Sequence, residues 1–515
     1  MLRKWFPELL ITAGLLVLPL LLFFPVTLGG KTQIPADNLY EYEPWLSARE
    51  TLGVPEVPHN ALISDLILEN YQWKSFLRQS IRDGVIPLWQ TEQFAGTPFL
   101  AAGQHSALYP FSVLYYVLPL WLAYGWFTVS QLWLAGVLMM LFARGLGVGR
   151  LGAAVAGVAY QLSAFFVISA VFPMMIAGAA WLPLLLLMIE FIVRRRPLRG
   201  ERPAVIPWIA VGAVALMMNV FAGHVEITYY TLIVMAYYAA ARLLWEWWRA
   251  RRAWKRLTST AASLLAMVAL GMGLGAAQFV PLYELGTHSF RESAASFDDV
   301  RSWGLPVRHA AAFFVPDVFG NPADHSYIDV FDWERVSVQW MRGAETTSNT
   351  HFGIKNYVEG AVYMGILVMA LAAIGLIAPR RKQPPVSSVG AVHELPLPGD
   401  SDGAPPIRAI LAILGGVSLT FAFGLPTYAV LYYLFPSANQ LHTPFRWVWP
   451  LTFVVAALAG YGADALTCAR RDHRVWRVAT WAGGGLLAAG ALILLALAAS
   501  RIAFGTIEPQ VADLY

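Results

Sequence analysis

Charge is what this sequence has least of: only 13% of its 515 residues are Asp, Glu, Lys or Arg. A soluble domain carries about 25%. With 57% hydrophobic residues and a mean hydropathy of +0.54, the chain is excluded from the ordinary soluble class and reads as a polytopic membrane protein. Cysteine is nearly absent too. The single Cys468 rules out an intramolecular disulfide and says nothing about compartment. Long runs of one charge sign are also missing. The net charge of +4 and the pI near 9.0 come from short basic clusters at the ends of apolar runs. That placement argues against nucleic acid and makes the lipid bilayer the first expected partner.

What is present is a series of apolar runs. The amino terminus reads Met-Leu-Arg-Lys and is then mostly apolar from Trp5 to Leu28. This exceeds the roughly 7 to 15 residues of a signal-peptide core and lacks a following small-x-small site, so it reads as a retained first span. At about 20 residues per crossing, further spans are expected near Leu122–Phe142, Gly152–Val171, Met174–Val193, Ala204–Phe221, Ile227–Leu244, Ala261–Leu282, Gly360–Ala378, Ile410–Phe423, Trp447–Ala465 and Val478–Ala499. The expected fold is all-α, a bundle of about 11 transmembrane helices. The broken runs Leu108–Leu120 and Tyr428–Phe435 read as re-entrant or interfacial pieces.

Threading these spans puts the clusters at Arg3/Lys4, Arg144/Arg150, Arg194–Arg202, Arg249–Arg256, Arg380–Lys382 and Arg470–Arg477 on one side. The positive-inside rule then makes that side, and the amino terminus, cytoplasmic. The organisation that follows is a first helix (1–28), an outer loop with an amphipathic helix and a re-entrant piece (29–121), a bundle (122–282), a second outer loop (283–359), a second bundle (360–500) with a Pro/Ser/Gly-rich cytoplasmic linker (383–406), and an outer tail (501–515). The abrupt tail also fits a portion of a longer protein.

In the first outer loop, Leu66, Ile67, Trp73, Phe76, Leu77 and Ile81 fall on one helical face, whereas Glu69, Lys74, Arg78, Arg82 and Asp83 mostly do not. This predicts an amphipathic helix on the outer surface, ended by Gly84 and Pro87. Asp37 and Asp65 flank it, and two carboxylates facing a polar acceptor suit general-base work, with a helix cap as the plainer role for Asp65. His224 and Glu226 lie between two spans, where ionisable groups are costly and often functional, or simply face water. They form no zinc pattern. Asp317, Asp324, Asp329 and Asp332 lack the spacing of a calcium loop. Glu359, at a span start, favours the helix dipole. Gly271, Gly273 and Gly275, and likewise Gly483–Gly485, read as small-residue helix packing.

Asn60, Asp65, the turn Gly84-Val85-Ile86-Pro87-Leu88-Trp89, Gly96-Thr97-Pro98-Phe99-Leu100-Ala101, Gln104 and Tyr109-Pro110 resemble the first-loop signature of the bacterial YfhO-like membrane proteins, which are glycosyltransferase-like with a GT-C fold. Gly223-His224, Tyr229-Tyr230, "VPDVFG", Asn356, Glu359, "TPFRW" and "LAGYGADAL" continue the resemblance in order, to about Leu466. The chain departs from the family pattern at Gln90-Thr91 and His442. The resemblance implies transfer of a sugar from a polyprenyl-phosphate donor to an envelope glycan or polymer outside the membrane. Asp65, then Asp37, would be the base. Arg446 would stabilise the phosphate leaving group, and His224, Glu226, Gln104, His105, Asn60 and Glu359 would contact donor or acceptor. No cofactor is certain, and a divalent cation is left open. The alternatives are a transporter or flippase, which should show an internal repeat and charges at mid-membrane, and an inactive relative with a scaffolding role.

Overall fold

In lipid every backbone polar group must be paired within the chain, and runs of about 20 apolar residues achieve this as helices. The computed structural model describes residues 2–504 apart from positions 57, 61–62, 94, 199–203, 251, 289–294, 319–320, 322, 324–325, 330–333, 338–356, 359, 379–404, 436–437, 442 and 469–472. Its main helices are α1 (Leu2–Leu22), α2 (Tyr71–Arg82), α3 (Leu120–Gly145), α4 (Arg150–Gln161), α5 (Leu182–Val193), α6 (Ile206–Phe221), α7 (Val225–Arg249), α8 (Trp254–Leu274), α9 (Ala276–Thr287), α10 (Ile366–Ile377), α11 (Ile407–Ala422), α12 (Val448–Cys468) and α13 (His473–Phe504). The strands form two small antiparallel hairpins: β1 (Trp89–Gln90) with β2 (Thr97–Pro98), and β3 (Ser326–Asp329) with β4 (Glu334–Ser337).

Among the described residues, six helices are long and apolar enough to cross a membrane, and up to eight if each bent pair is one span. One pair, Arg150–Gln161 with Ala164–Val171, bends by 42°; the other, Ile407–Ala422 with Pro426–Leu434, bends by 105°. Phe6–Leu22, Ile206–Phe221 and Ile366–Ile377 are apolar but shorter. The chain is an all-α, multi-pass membrane protein. The expected run Ala261–Leu282 is divided at Gly275 into α8 and α9. The segment after Gly424, whose φ is +58°, turns by 105° into a short helix, in line with the expected re-entrant or interfacial piece Tyr428–Phe435.

Helix packing rests on small residues. A Cβ on Gly462 would lie 1.8 Å from the Leu371 carbonyl oxygen, and one on Gly375 would lie 2.0 Å from that of Leu458, so α10 and α12 touch backbone to backbone. Gly460 and Gly152 do the same for α12 and α4. Gly271 meets Leu216 and Gly275 meets Val220, both on α6, whereas a Cβ on Gly273 or on Gly483–Gly485 of α13 would meet no described atom within 4 Å.

The two ends of the bundle differ in chemistry. At one, Arg150 pairs with Glu8 at 2.8 Å, and Asp464 accepts the Gly149 N–H at 2.9 Å. Gly145 of α3 abuts Leu187 and Phe191 of α5, which brings the ion-pair network of Glu190, Arg194, Arg242, Glu246 and Arg256 to the same end. Glu190 and Arg242 are fully buried. The opposite end carries the first-loop segment, whose expected re-entrant or interfacial piece Leu108–Leu120 packs into the bundle. Tyr109 Oη donates to Gln131 on α3 at 2.7 Å, Trp181 donates to Tyr109 at 3.1 Å, and Tyr115 is wholly buried.

α2 is amphipathic as predicted, with a π-helical turn, Leu66–Asn70, before it. Its faces are not as predicted. Lys74 is buried (1% exposed) and Ile81 is 45% exposed. Lys74 lies on the apolar stripe, three residues before Leu77 and seven after Ile67, and its ammonium group donates to the His105 carbonyl and sits 4.3 Å over the Tyr115 ring.

Candidate functional site

At the loop end, α6 closes through Gly223, whose φ of +88° suits only glycine at low cost. His224 then caps α7: its Nδ1 accepts the Ile227 N–H at 3.3 Å, which leaves the ring proton on Nε2. Burial, and next the charge of Arg446, holds its pKa well below the ordinary 6.5, so the imidazole is neutral. Glu226 sits in the first turn of α7, where the helix dipole favours a carboxylate.

Arg446 comes from the 3-10 turn Pro444–Trp447 that leads into α12. It forms an ion pair with Glu226, and both side chains are partly buried at 17% and 18% exposure. Thr443 donates to Glu226 Oε2 at 2.7 Å and meets Tyr230 Oη at 3.2 Å. The ring of Tyr230 packs on Trp447 at 5.3 Å. Arg446 Nε is buried with no hydrogen-bond partner among the described residues. A guanidinium with a donor to spare, beside a carboxylate and a neutral imidazole, can take up an anionic oxygen.

The first loop is seated directly on this cluster. A Cβ on Gly223 would lie 2.0 Å from the Gly103 carbonyl oxygen and 3.4 Å from Gln104 Cα. Ser106 donates to the Ala222 carbonyl at 2.7 Å, and Gln278 of α9 donates to that of Leu100 at 2.9 Å. Gln104 itself is exposed at the junction. His224 and Glu226 from the start of α7 meet Arg446 from the Pro444–Trp447 turn, with Gln104 of the first loop beside Gly223.

The first-loop acids make their contacts elsewhere. Asp37 accepts the His59 N–H at 2.6 Å, and Asn38 donates to the Asn60 carbonyl at 3.1 Å, tying the turn Ala36–Glu41 to residue 60. Asp65 is exposed and makes no side-chain cap, so its plainer capping role is not realised. Glu69, one helical turn on, has its pKa raised by burial and then by the charge of Asp65.

His105 packs inside the loop. It is 1% exposed, stacks on Phe99 at 4.1 Å, donates from Nε2 to the Phe99 carbonyl at 2.7 Å, and accepts the Ala107 N–H at Nδ1 at 3.0 Å. Both ring nitrogens are used within the loop. Burial, with the Lys74 charge next, lowers its pKa to about 4.

Glu359, Asn356, His442, Asp324 and Asp332 lie outside the described residues. Asp317 is exposed and accepts the Tyr357 hydroxyl. No group of three or more His, Cys, Asp or Glu among the described residues is placed to hold a metal ion. Thr443 and Lys74 were missed as functional partners. The first sat inside the quoted "TPFRW", and the second showed itself by its register on the apolar stripe. Comparison with family models, curated proteins and solved structures gives no match.

Proposed function

We propose that this protein is a GT-C-like membrane glycosyltransferase with eleven crossings, its basic end in the cytoplasm and its loop end outside a bacterial plasma membrane. It moves a sugar from a polyprenyl-phosphate donor to an envelope glycan or polymer. The observation that carries the reading is Arg446, paired with Glu226 and holding a spare donor, beneath a loop seated on the same helix ends. In the reaction an acceptor hydroxyl oxygen bonds to the anomeric carbon, the bond from that carbon to the phosphate oxygen breaks, the hydroxyl proton goes to a carboxylate, and polyprenyl phosphate leaves. Arg446 meets the charge that grows on the leaving oxygen.

Two carboxylate positions compete for the proton. Asp65 is favoured by the family likeness. Glu226 is favoured by geometry, because it is the carboxylate already in contact with Arg446. Transfer rates of Glu226→Gln and Asp65→Asn separate them: the base is the position whose amide lowers the rate by about 10²–10⁴-fold. Equal, full activity in both variants removes both assignments. A divalent cation stays open, tested by chelation in the same assay.

The transporter reading gains from the two broken helices. The sharper break, at Gly424, lies against Arg301 and Gly304 of the second loop. That places it at the loop end, whereas a carrier needs its breaks at mid-membrane, so the transferase remains preferred.

A further inference from the structure

A second polar site lies along the solvent face of α2. A cavity of about 690 Å³ is walled by that face, by the strip from Gln90 to Gln93, and by Pro119–Trp121 at the start of α3. Its size falls in the usual range for ligand sites, roughly 300–1,000 Å³. The Arg446 cluster contributes none of its lining.

The lining is unusual for a solvated helix face. Gln72, Gln79, Gln90 and Gln93 contribute four primary amides. Each amide offers a donor and an acceptor side by side, which matches a pair of neighbouring hydroxyls. Gln79 already spends its amide nitrogen on Asp83, at 2.9 and 3.0 Å, which leaves its oxygen as an acceptor. Trp121, 46% exposed, supplies a flat apolar surface of the kind sugar rings stack on.

The charge is also directed. Arg78 and Arg82 are one helical turn apart and both line the cavity, against the single acid Glu92 among the lining residues. Arg78 Nε is buried and has no hydrogen-bond partner among the described residues. A buried, unsatisfied guanidinium N–H is costly, and an anionic ligand oxygen would satisfy it.

We infer that this groove binds an acidic saccharide, a short run of sugars bearing carboxylate or phosphate, with Arg78 and Arg82 on the acid groups, the glutamines on the hydroxyls and Trp121 under a ring. Its role as the acceptor subsite rests on the transferase reading; binding itself does not. The exposed apolar turn of Val85, Ile86, Leu88 and Trp89 beside it places the groove within reach of a lipid surface, so an anionic headgroup is the competing occupant to be tested.

The experiment is equilibrium binding to the full chain in nanodiscs, with trigalacturonate, maltotriose and inorganic phosphate as probes. Trigalacturonate should bind at least about tenfold more tightly than maltotriose, and Arg82→Gln should remove most of that margin. Arg82 is exposed, so this variant should fold. Trp121→Ala should weaken both saccharides. Equal binding of the two saccharides, no effect of Arg82→Gln, or full displacement by equimolar phosphate would each overturn the proposal. So would loss of trigalacturonate binding when phosphatidylglycerol replaces phosphatidylcholine in the disc, since the groove would then hold a headgroup. Binding that persists where no sugar transfer occurs upholds the groove and counts against the transferase alone.

Discussion

Arg446 and Glu226 are each partly buried and each leans on the other. Removing either charge leaves its partner in a desolvated place, which is why such pairs couple strongly. A double-mutant cycle of Arg446→Gln and Glu226→Gln should show a coupling of about 1–3 kcal/mol in stability, measured by unfolding in mixed micelles. Additive losses would mean that the pair is solvated and not a working unit. The sequence made Arg446, His224 and Glu226 legible because ionisable groups are few at the span ends away from the basic clusters. It could not show that Arg446 and Glu226 touch, since 219 intervening positions separate them and no pattern reports such a contact.

Lys74 and His105 give a second residue-scale prediction. Burial lowers the Lys74 pKa to about 7 and that of His105 to about 4, from ordinary values of 10.5 and 6.5. Both groups bind protons less readily when folded, so the unfolded state takes up protons first as pH falls. Stability should therefore rise with pH from about 4 to 6.5 through His105, and from about 7 to 10.5 through Lys74. Thermal unfolding of the wild type against Lys74→Met should show the upper rise disappear while the lower one stays. A wild type whose stability is flat across both windows would contradict this account of the loop.

Among elements, contact depth decides tolerance. Gly462→Ala must push α12 away from the Leu371 carbonyl and should cost roughly 1–3 kcal/mol, whereas Gly483→Ala on α13 meets nothing and should be neutral or slightly stabilising. Denaturant titration of the two variants side by side reads the contrast. Glu190→Ala leaves the buried Arg242 with only the longer 3.6 Å pair to Glu246 and should cost about 3 kcal/mol. The helices themselves were readable because a long apolar run has few alternatives in lipid. The break at Gly275 was not, because α8 and α9 are both apolar and nothing in hydropathy marks where a helix axis turns. Periodicity did put Lys74 on the apolar stripe of α2, but assigning every charge to the wet face hid its burial.

For the whole molecule, among the described residues, the Glu8–Arg150 pair and the Glu190–Arg242 network lie at the end of the bundle away from the first loop. The chemistry at the loop end is the part that no composition could establish. Its most direct test is transfer of radiolabelled sugar from a polyprenyl-phosphate donor in proteoliposomes, wild type against Arg446→Gln. The account predicts labelled product with the wild type and a loss of about 10²-fold or more with the variant, while the variant still inserts and folds. Undiminished transfer by Arg446→Gln, or a wild type that moves substrate across the bilayer without forming product from any donor, would contradict it.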